Sequence, residues 1–120
     1  MIRTVGLTKR YGRLEAVRDV NLSIPAGQIY GFLGPNGAGK TSTIMMLLGI
    51  TEPTAGEIHL FGERYSPGRL DLRRRIGVVP ERHPRGVWTW MTAREYLEYF
   101  ADLFSVQGAS KRISDLLEQV

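Results

Sequence analysis

No cysteine occurs in the 120 residues, which excludes disulfide cross-links, thiolate metal sites and cysteine nucleophiles. Histidine is nearly as scarce. His59 and His83 have no ligand-type partner at useful spacing, so each is expected to be exposed or locally hydrogen-bonded. Long apolar runs are missing too: the longest candidate, residues 44–50, falls far short of the ~18 residues that a membrane span needs. The first six residues, Met1-Ile2-Arg3-Thr4-Val5-Gly6, have no apolar core of signal-peptide length. These absences lead to the expectation of a cytosolic protein. There are no internal repeats and no low-complexity segment. A strong charge bias is lacking as well, because 16 basic residues face 12 acidic ones for a net charge of +4. Much of the excess lies in Arg69, Arg73, Arg74 and Arg75, followed by Arg82 and Arg85. Phosphate contacts need such side chains, but no aromatic stacking platform accompanies them. A solvated face is expected, and no nucleic-acid partner.

What is present is concentrated in eight residues, Gly34-Pro35-Asn36-Gly37-Ala38-Gly39-Lys40-Thr41. They fit the phosphate-loop pattern G-x-x-x-x-G-K-[ST] in full. Glycines let backbone N–H groups wrap closely around a di- or triphosphate, and the helix that follows turns its unsatisfied N-terminal donors toward the anion. The expected nucleotide contacts are Asn36, Gly37, Ala38, Gly39, Lys40, Thr41 and Ser42. Lys40 would reach the β- and γ-phosphates, and the Thr41 hydroxyl would ligate Mg²⁺. The flanks agree with the motif. Residues 28–33 form a short apolar run of the kind expected for a buried parallel strand. Residues 42–48 read as helix, with Gly49 at its C-terminus. A glycine-rich turn with a chance lysine would not come with both flanks.

Around this centre the pattern predicts strands over residues 2–8 and 20–24, a turn at 52–56, and a strand over 57–61. One or two helical turns are expected over 70–75, and a second buried strand over 76–79. Trp88 and Trp90 fall in a loop, where core anchoring is preferred to an interface role. Thr92 and Glu95 form a capping box for a helix with Ala93, Tyr96, Leu97, Phe100, Ala101 and Phe104 at helical spacing. Ser110 is the expected cap of a last helix carrying Ile113, Leu116, Leu117 and Val120 on one face.

Over essentially its whole length the chain resembles the N-terminal half of an ABC-transporter ATP-binding subunit. Leu7-Thr8-Lys9-Arg10-Tyr11-Gly12 is similar to the family's A-loop, whose aromatic residue stacks on adenine; Tyr11 stands at that position. Val20-Asn21-Leu22-Ser23-Ile24 and Gly27 resemble the approach to the phosphate loop, and Pro53-Thr54-Ala55-Gly56-Glu57-Ile58 the turn and strand after its helix. The resemblance implies an α/β fold: a P-loop NTPase core with an antiparallel β layer over residues 1–81, then the Q-loop and the start of a helical subdomain over 82–120. It also implies ATP and Mg²⁺ as cofactors. The implied partners are a second ATP-binding subunit and an integral membrane permease, with the protein peripheral to the membrane on its cytoplasmic face.

The chain departs from the family pattern twice. Where the Q-loop usually has glutamine, the matching residue is Glu81, a candidate catalytic and Mg²⁺-side position. The sequence Val78-Val79-Pro80-Glu81, with Met91-Thr92-Ala93-Arg94-Glu95 downstream, is similar to a branch serving export-type permeases. Moreover, the 120 residues contain no Walker B strand with its glutamate, no L-S-G-G-Q signature and no H-loop histidine. They are therefore expected to bind and orient nucleotide without turning it over. Rival readings are a soluble ABC-type ATPase of translation or DNA repair, a kinase or GTPase with a phosphate loop, and a non-hydrolysing fragment.

Overall fold

The computed structural model describes residues 1–81 and 90–120. The chain forms two compact units, Met1–Val78 and Val79–Val120. Among the described residues no helix is long and apolar enough to cross a membrane.

The first unit is built on a four-stranded antiparallel sheet, β1 (Ile2–Tyr11), β2 (Leu14–Ile24), β3 (Ala55–Leu60) and β4 (Glu63–Tyr65), in the order β2-β1-β3-β4. β1 and β2 form a hairpin closed by Gly12-Arg13, with Tyr11 facing Leu14 across the turn. Such two-residue loops match the twist of their flanking strands. The strand expected over residues 20–24, where burial alternates, begins earlier, at Leu14, with no alternation over residues 14–19, while the short β4 has too little pattern to be read from sequence.

The β1–β2 ladder slips between Thr4 and Leu7, between Leu7 and Lys9, and between Lys9 and Arg10. Each slip removes regular backbone partners, and buried backbone groups must find others. Side chains supply several of them. The buried Thr4 hydroxyl donates to the Val20 carbonyl (2.8 Å) and accepts from the Leu22 N–H (2.9 Å). Asn21 Oδ1 accepts from the Gly6 N–H at 2.8 Å, and Thr8 Oγ1 accepts from the Asp19 N–H at 3.1 Å.

Helix α1 (Lys40–Leu47) packs one side into the core through Thr43 and Met46. Leu7, Val17, Met46, Ile58, Leu60, Tyr65 and Leu72 form a single buried cluster. Fully burying side chains of this size stabilises a fold by about 1.5–3 kcal/mol each. The helix stops at Gly49, as its sequence position predicts. Gly49 takes φ +66°, its N–H donates to the Met46 carbonyl (3.1 Å), and the Ile50 N–H donates to the Met45 carbonyl (2.9 Å). That pair of bonds is a Schellman motif. A Cβ at Gly49 would also collide with the buried Tyr65 hydroxyl. A single helical turn, α2 (Leu70–Arg73), buries Leu72.

Two expected strands are not formed. Residues 28–33 and 76–79 have no strand pairing; Ile29 and Leu33 are 105% and 93% exposed, and Val79 95%. A parallel strand reads as a continuous apolar run because neighbours pair both its edges and other elements cover both its faces. Neither segment has such neighbours among the described residues.

The second unit contains α3 (Ala93–Leu103) and α4 (Ala109–Leu117). Thr92 caps α3 as predicted: its N–H and hydroxyl both donate to Glu95 Oε2 at 2.8 Å, while the Glu95 N–H returns to Thr92 Oγ1 at 3.3 Å. Tyr96, Phe100 and Phe104 meet in sequence, the first pair tilted and the second stacked, with centroids 4.7 and 6.3 Å apart. α3 ends in another Schellman motif, here with Ser105 rather than glycine in the left-handed position at φ +52°. The expectation for α4 is corrected. Gly108, in a left-handed conformation, is the N-cap and no side chain caps this helix. Ser110 already lies in its first turn. Glycine is nearly as acceptable as threonine at an N-cap, so the serine two residues later gave a false start. Of the expected face only Ile113 is buried, and Val120 is fully exposed. Trp90 is 88% exposed and anchors no core; Trp88 and His83 lie outside the described residues.

The α3 cap sets a stability prediction. The Thr92 backbone N–H, and then its hydroxyl, hold the Glu95 carboxyl below the usual carboxylate range. A depressed folded-state value contributes stability that is present above the unfolded glutamate value, about 4.3, and is lost as pH falls through the lowered one. Thr92→Ala is expected to cost about 1 kcal/mol at neutral pH. Urea denaturation of the two proteins as a function of pH checks this. Thr92→Ala keeps the backbone N–H, so the gap should narrow in acid only by the share carried through the hydroxyl. A gap that stays constant down to pH 2 would show that the carboxylate does not act through that hydroxyl.

Candidate functional site

The eight-residue loop and α1 form the site, and three local features shape it. Gly37 and Gly39 both adopt left-handed conformations, at φ 83° and 81°, which non-glycine residues reach only at a cost. The Ala38 N–H bonds back to the Pro35 carbonyl (3.2 Å), closing a tight turn. Gly39 then opens the helix, its carbonyl accepting from the Thr43 N–H at 2.8 Å. Residues 34–38 are exposed.

Lys40 occupies the first helical position and folds back under the loop. Its Nζ donates to the Gly34 carbonyl (2.6 Å) and the Pro35 carbonyl (2.7 Å). Two of its three N–H donors are thus committed to the loop, and the positive charge is held against the first two residues of the motif. Thr41 is exposed at the next position and Ser42 is half-buried. Gly34 and Pro35 were not singled out from sequence as site residues. They act through main-chain carbonyls, which leave no side-chain signature.

The loop is anchored to the sheet at Gly39. A Cβ there would strike the Ala16 carbonyl and lie 3.0 Å from Val17 Cγ2. Ala16 is two residues along β2 from Leu14, which pairs with Tyr11. Tyr11 therefore lies at the same end of the β1–β2 ribbon, roughly 7 Å along it from the loop's anchor point. Its ring is 46% exposed. Glu81 is exposed and belongs to the second unit.

Two arginines of the basic stretch are tied to their own surroundings. Arg69 pairs with Glu63 and Asp71. Its hydrogen bond holds the Asp71 carboxyl down at about 2. Arg75 stacks over Phe61 at 3.8 Å. Arg82 and Arg85 lie outside the described residues. His59, as expected, meets a local partner, Glu57 Oε2 at 3.2 Å.

This fold and loop recur in known proteins. The profile of the ABC transporter family matches residues 17–120. The bacitracin transport ATP-binding protein BcrA of Bacillus licheniformis is 42% identical over 120 residues, which is all of this chain and 38% of that protein. Nod factor export ATP-binding protein I of Ralstonia nicotianae is 43% identical over 115 residues, 94% of this chain and 35% of that protein. The chain thus spans less than two fifths of the length of these relatives. Among solved structures, an ATP-binding subunit of an ABC transporter superposes with a TM-score of 0.73 at 28% identity, covering 90% of this chain and 44% of its own. A putative ABC transporter ATP-binding protein from Pyrococcus furiosus gives 0.73 at 26% identity, covering 98% and 55%. With a partial P-loop NTPase core, an antiparallel β layer and a family profile that spans most of its length, the chain belongs to the ABC transporter family.

Proposed function

We propose that this chain is the nucleotide-binding front portion of an ATPase subunit that binds MgATP and powers transport through a membrane permease. The observation that carries this reading is the loop itself: left-handed Gly37 and Gly39, exposed residues 34–38, and Lys40 at the start of α1 with its ammonium on the Gly34 and Pro35 carbonyls. Tyr11 would stack on adenine, residues 36–42 would hold the phosphates, and Lys40 would exchange its carbonyl partners for the β- and γ-phosphates. Mg²⁺ usually takes only one or two protein oxygens and completes its octahedron with phosphate and water. An exposed hydroxyl such as that of Thr41 fits this need. When bound, the ion would neutralise charge on the β- and γ-oxygens.

The assembly follows from the same reading. A second ATP-binding subunit would close over the nucleotide, and the permease would dock on the Q-loop and α3. Supporting this, α3 and its neighbourhood expose the aromatic residues Trp90 and Phe104 at 88 and 66%, a residue class enriched at interfaces. The subunit would then lie on the cytoplasmic face of the membrane.

Equilibrium titrations of the intact protein with MgATP, MgGTP and inorganic triphosphate test the nucleotide reading. ATP should bind more tightly than triphosphate, and equal affinities for all three ligands would remove it. The same titrations, with ATPase rates of the full-length protein beside them, judge Glu81. A carboxylate cannot donate to a phosphate oxygen unless it is protonated, so beside a nucleotide it acts through Mg²⁺ or water. We expect Glu81→Gln to bind ATP equally or slightly more tightly, with an altered hydrolysis rate. Severe loss of ATP binding in both Glu81→Gln and Glu81→Ala would make Glu81 a primary ligand, while unchanged rates in both would make it a surface residue.

A further inference from the structure

A half-exposed tyrosine at the end of a two-residue hairpin would be a loose platform if its ring turned freely. In this chain Lys9 restrains it. Lys9 lies two residues before Tyr11 on β1 and so projects on the same side of the strand. Its Nζ sits 5.1 Å from the Tyr11 ring centroid, within the range of a cation–π contact. The same ammonium donates to the Glu52 carbonyl at 2.6 Å. Glu52 opens the turn that follows α1, and that turn is itself pinned to β1. The Thr54 N–H donates to the Thr8 carbonyl at 2.8 Å, and the Arg10 N–H donates to Thr54 Oγ1 at 3.0 Å. Lys9 is half-buried, with its charge shared between a fixed carbonyl and an aromatic face.

A cation held over one face of a ring has two effects. It occupies that face, which leaves the other for an incoming base. It also fixes the ring's orientation, so stacking costs less ordering of the side chain. We propose that Lys9 is a positioning residue for base recognition: anchored on the Glu52 carbonyl, it holds the Tyr11 ring ready to stack on adenine and ties that platform to the end of the phosphate-loop helix. The proposal rests on the reading of Tyr11 as the base platform. A lysine that merely closes the turn at Glu52 would stabilise the fold without touching base recognition, and the two roles separate experimentally.

The test compares dissociation constants for ATP and for inorganic triphosphate in the intact wild-type protein, Tyr11→Leu, Lys9→Met, Lys9→Arg and the double variant Lys9→Met/Tyr11→Leu. Lys9→Met is expected to weaken ATP about two- to fivefold while leaving triphosphate unchanged. Lys9→Arg should recover most of that loss, because a guanidinium also stacks on an aromatic face. The double variant should bind ATP no more weakly than Tyr11→Leu alone, since without the ring there is nothing for Lys9 to position. Equal losses for ATP and triphosphate in Lys9→Met would make Lys9 a structural peg and overturn the proposal, as would wild-type ATP affinity in that variant. Failure of the underlying reading looks different: Tyr11→Leu would then bind ATP as wild type does.

Discussion

Lys40→Ala in the intact protein is expected to weaken MgATP binding about ten- to a hundredfold, because the change removes the charge-assisted contact proposed with the β- and γ-phosphates. The structure sharpens this prediction by separating binding from folding. The Lys40 ammonium is satisfied by the Gly34 and Pro35 carbonyls, and residues 34–38 are exposed. When the side chain is removed, water can take over those two carbonyls at little cost. The variant should therefore unfold at nearly the wild-type urea concentration while losing nucleotide. Isothermal titration paired with urea denaturation checks both halves. Unchanged affinity would falsify the phosphate-loop assignment, and a large drop in stability would mean that Lys40 serves the fold first.

Gly39→Ala should do the opposite, damaging the fold and the site together. A left-handed backbone costs a non-glycine residue about 1–2 kcal/mol. The new Cβ would also run into the Ala16 carbonyl, a main-chain atom of β2 with no rotamer by which to move aside. We expect an overall loss of about 2–4 kcal/mol, read as a fall of roughly 1–2 M in the urea midpoint. ATP affinity should fall too, since the loop can relieve the collision only by leaving β2. A midpoint and an affinity both at wild-type values would show that the loop does not pack against Ala16 and Val17 in solution.

These two residues were legible in the sequence because a phosphate loop demands particular side chains at fixed spacing. The same is true of Gly49 and of the Thr92–Glu95 box, where local chemistry alone decides the outcome. The antiparallel strands were legible from alternation, since each buries one face. Legibility failed where a residue's state depends on distant chain. Residues 28–33 are apolar in the manner of a covered parallel strand, yet pairing and cover must come from elsewhere, and composition cannot supply them. Ser110 failed for a different reason: Gly108 already provides the α4 cap. At the end of α3 a serine takes a position that usually announces itself with glycine, so that motif left no sequence signal. Lys9 was visible only as a neighbour of Tyr11. Its role depends on the Glu52 carbonyl, forty-three residues further along the chain.

The irregular pairing of β1 with β2 bears on how copies of this protein can meet. β2 is an outer strand of the sheet, and an eleven-residue edge would ordinarily invite a foreign strand to add to it. This one is poorly suited as a template. Its register against β1 slips three times, Asp19 turns the backbone to φ +46°, and the charged Glu15, Arg18 and Asp19 lie along it. An incoming strand would find no long, even row of donors and acceptors to copy. The irregular backbone that leaves β2 a poor template is the same one whose inner side the Thr4 and Thr8 hydroxyls and the Asn21 amide hold to β1.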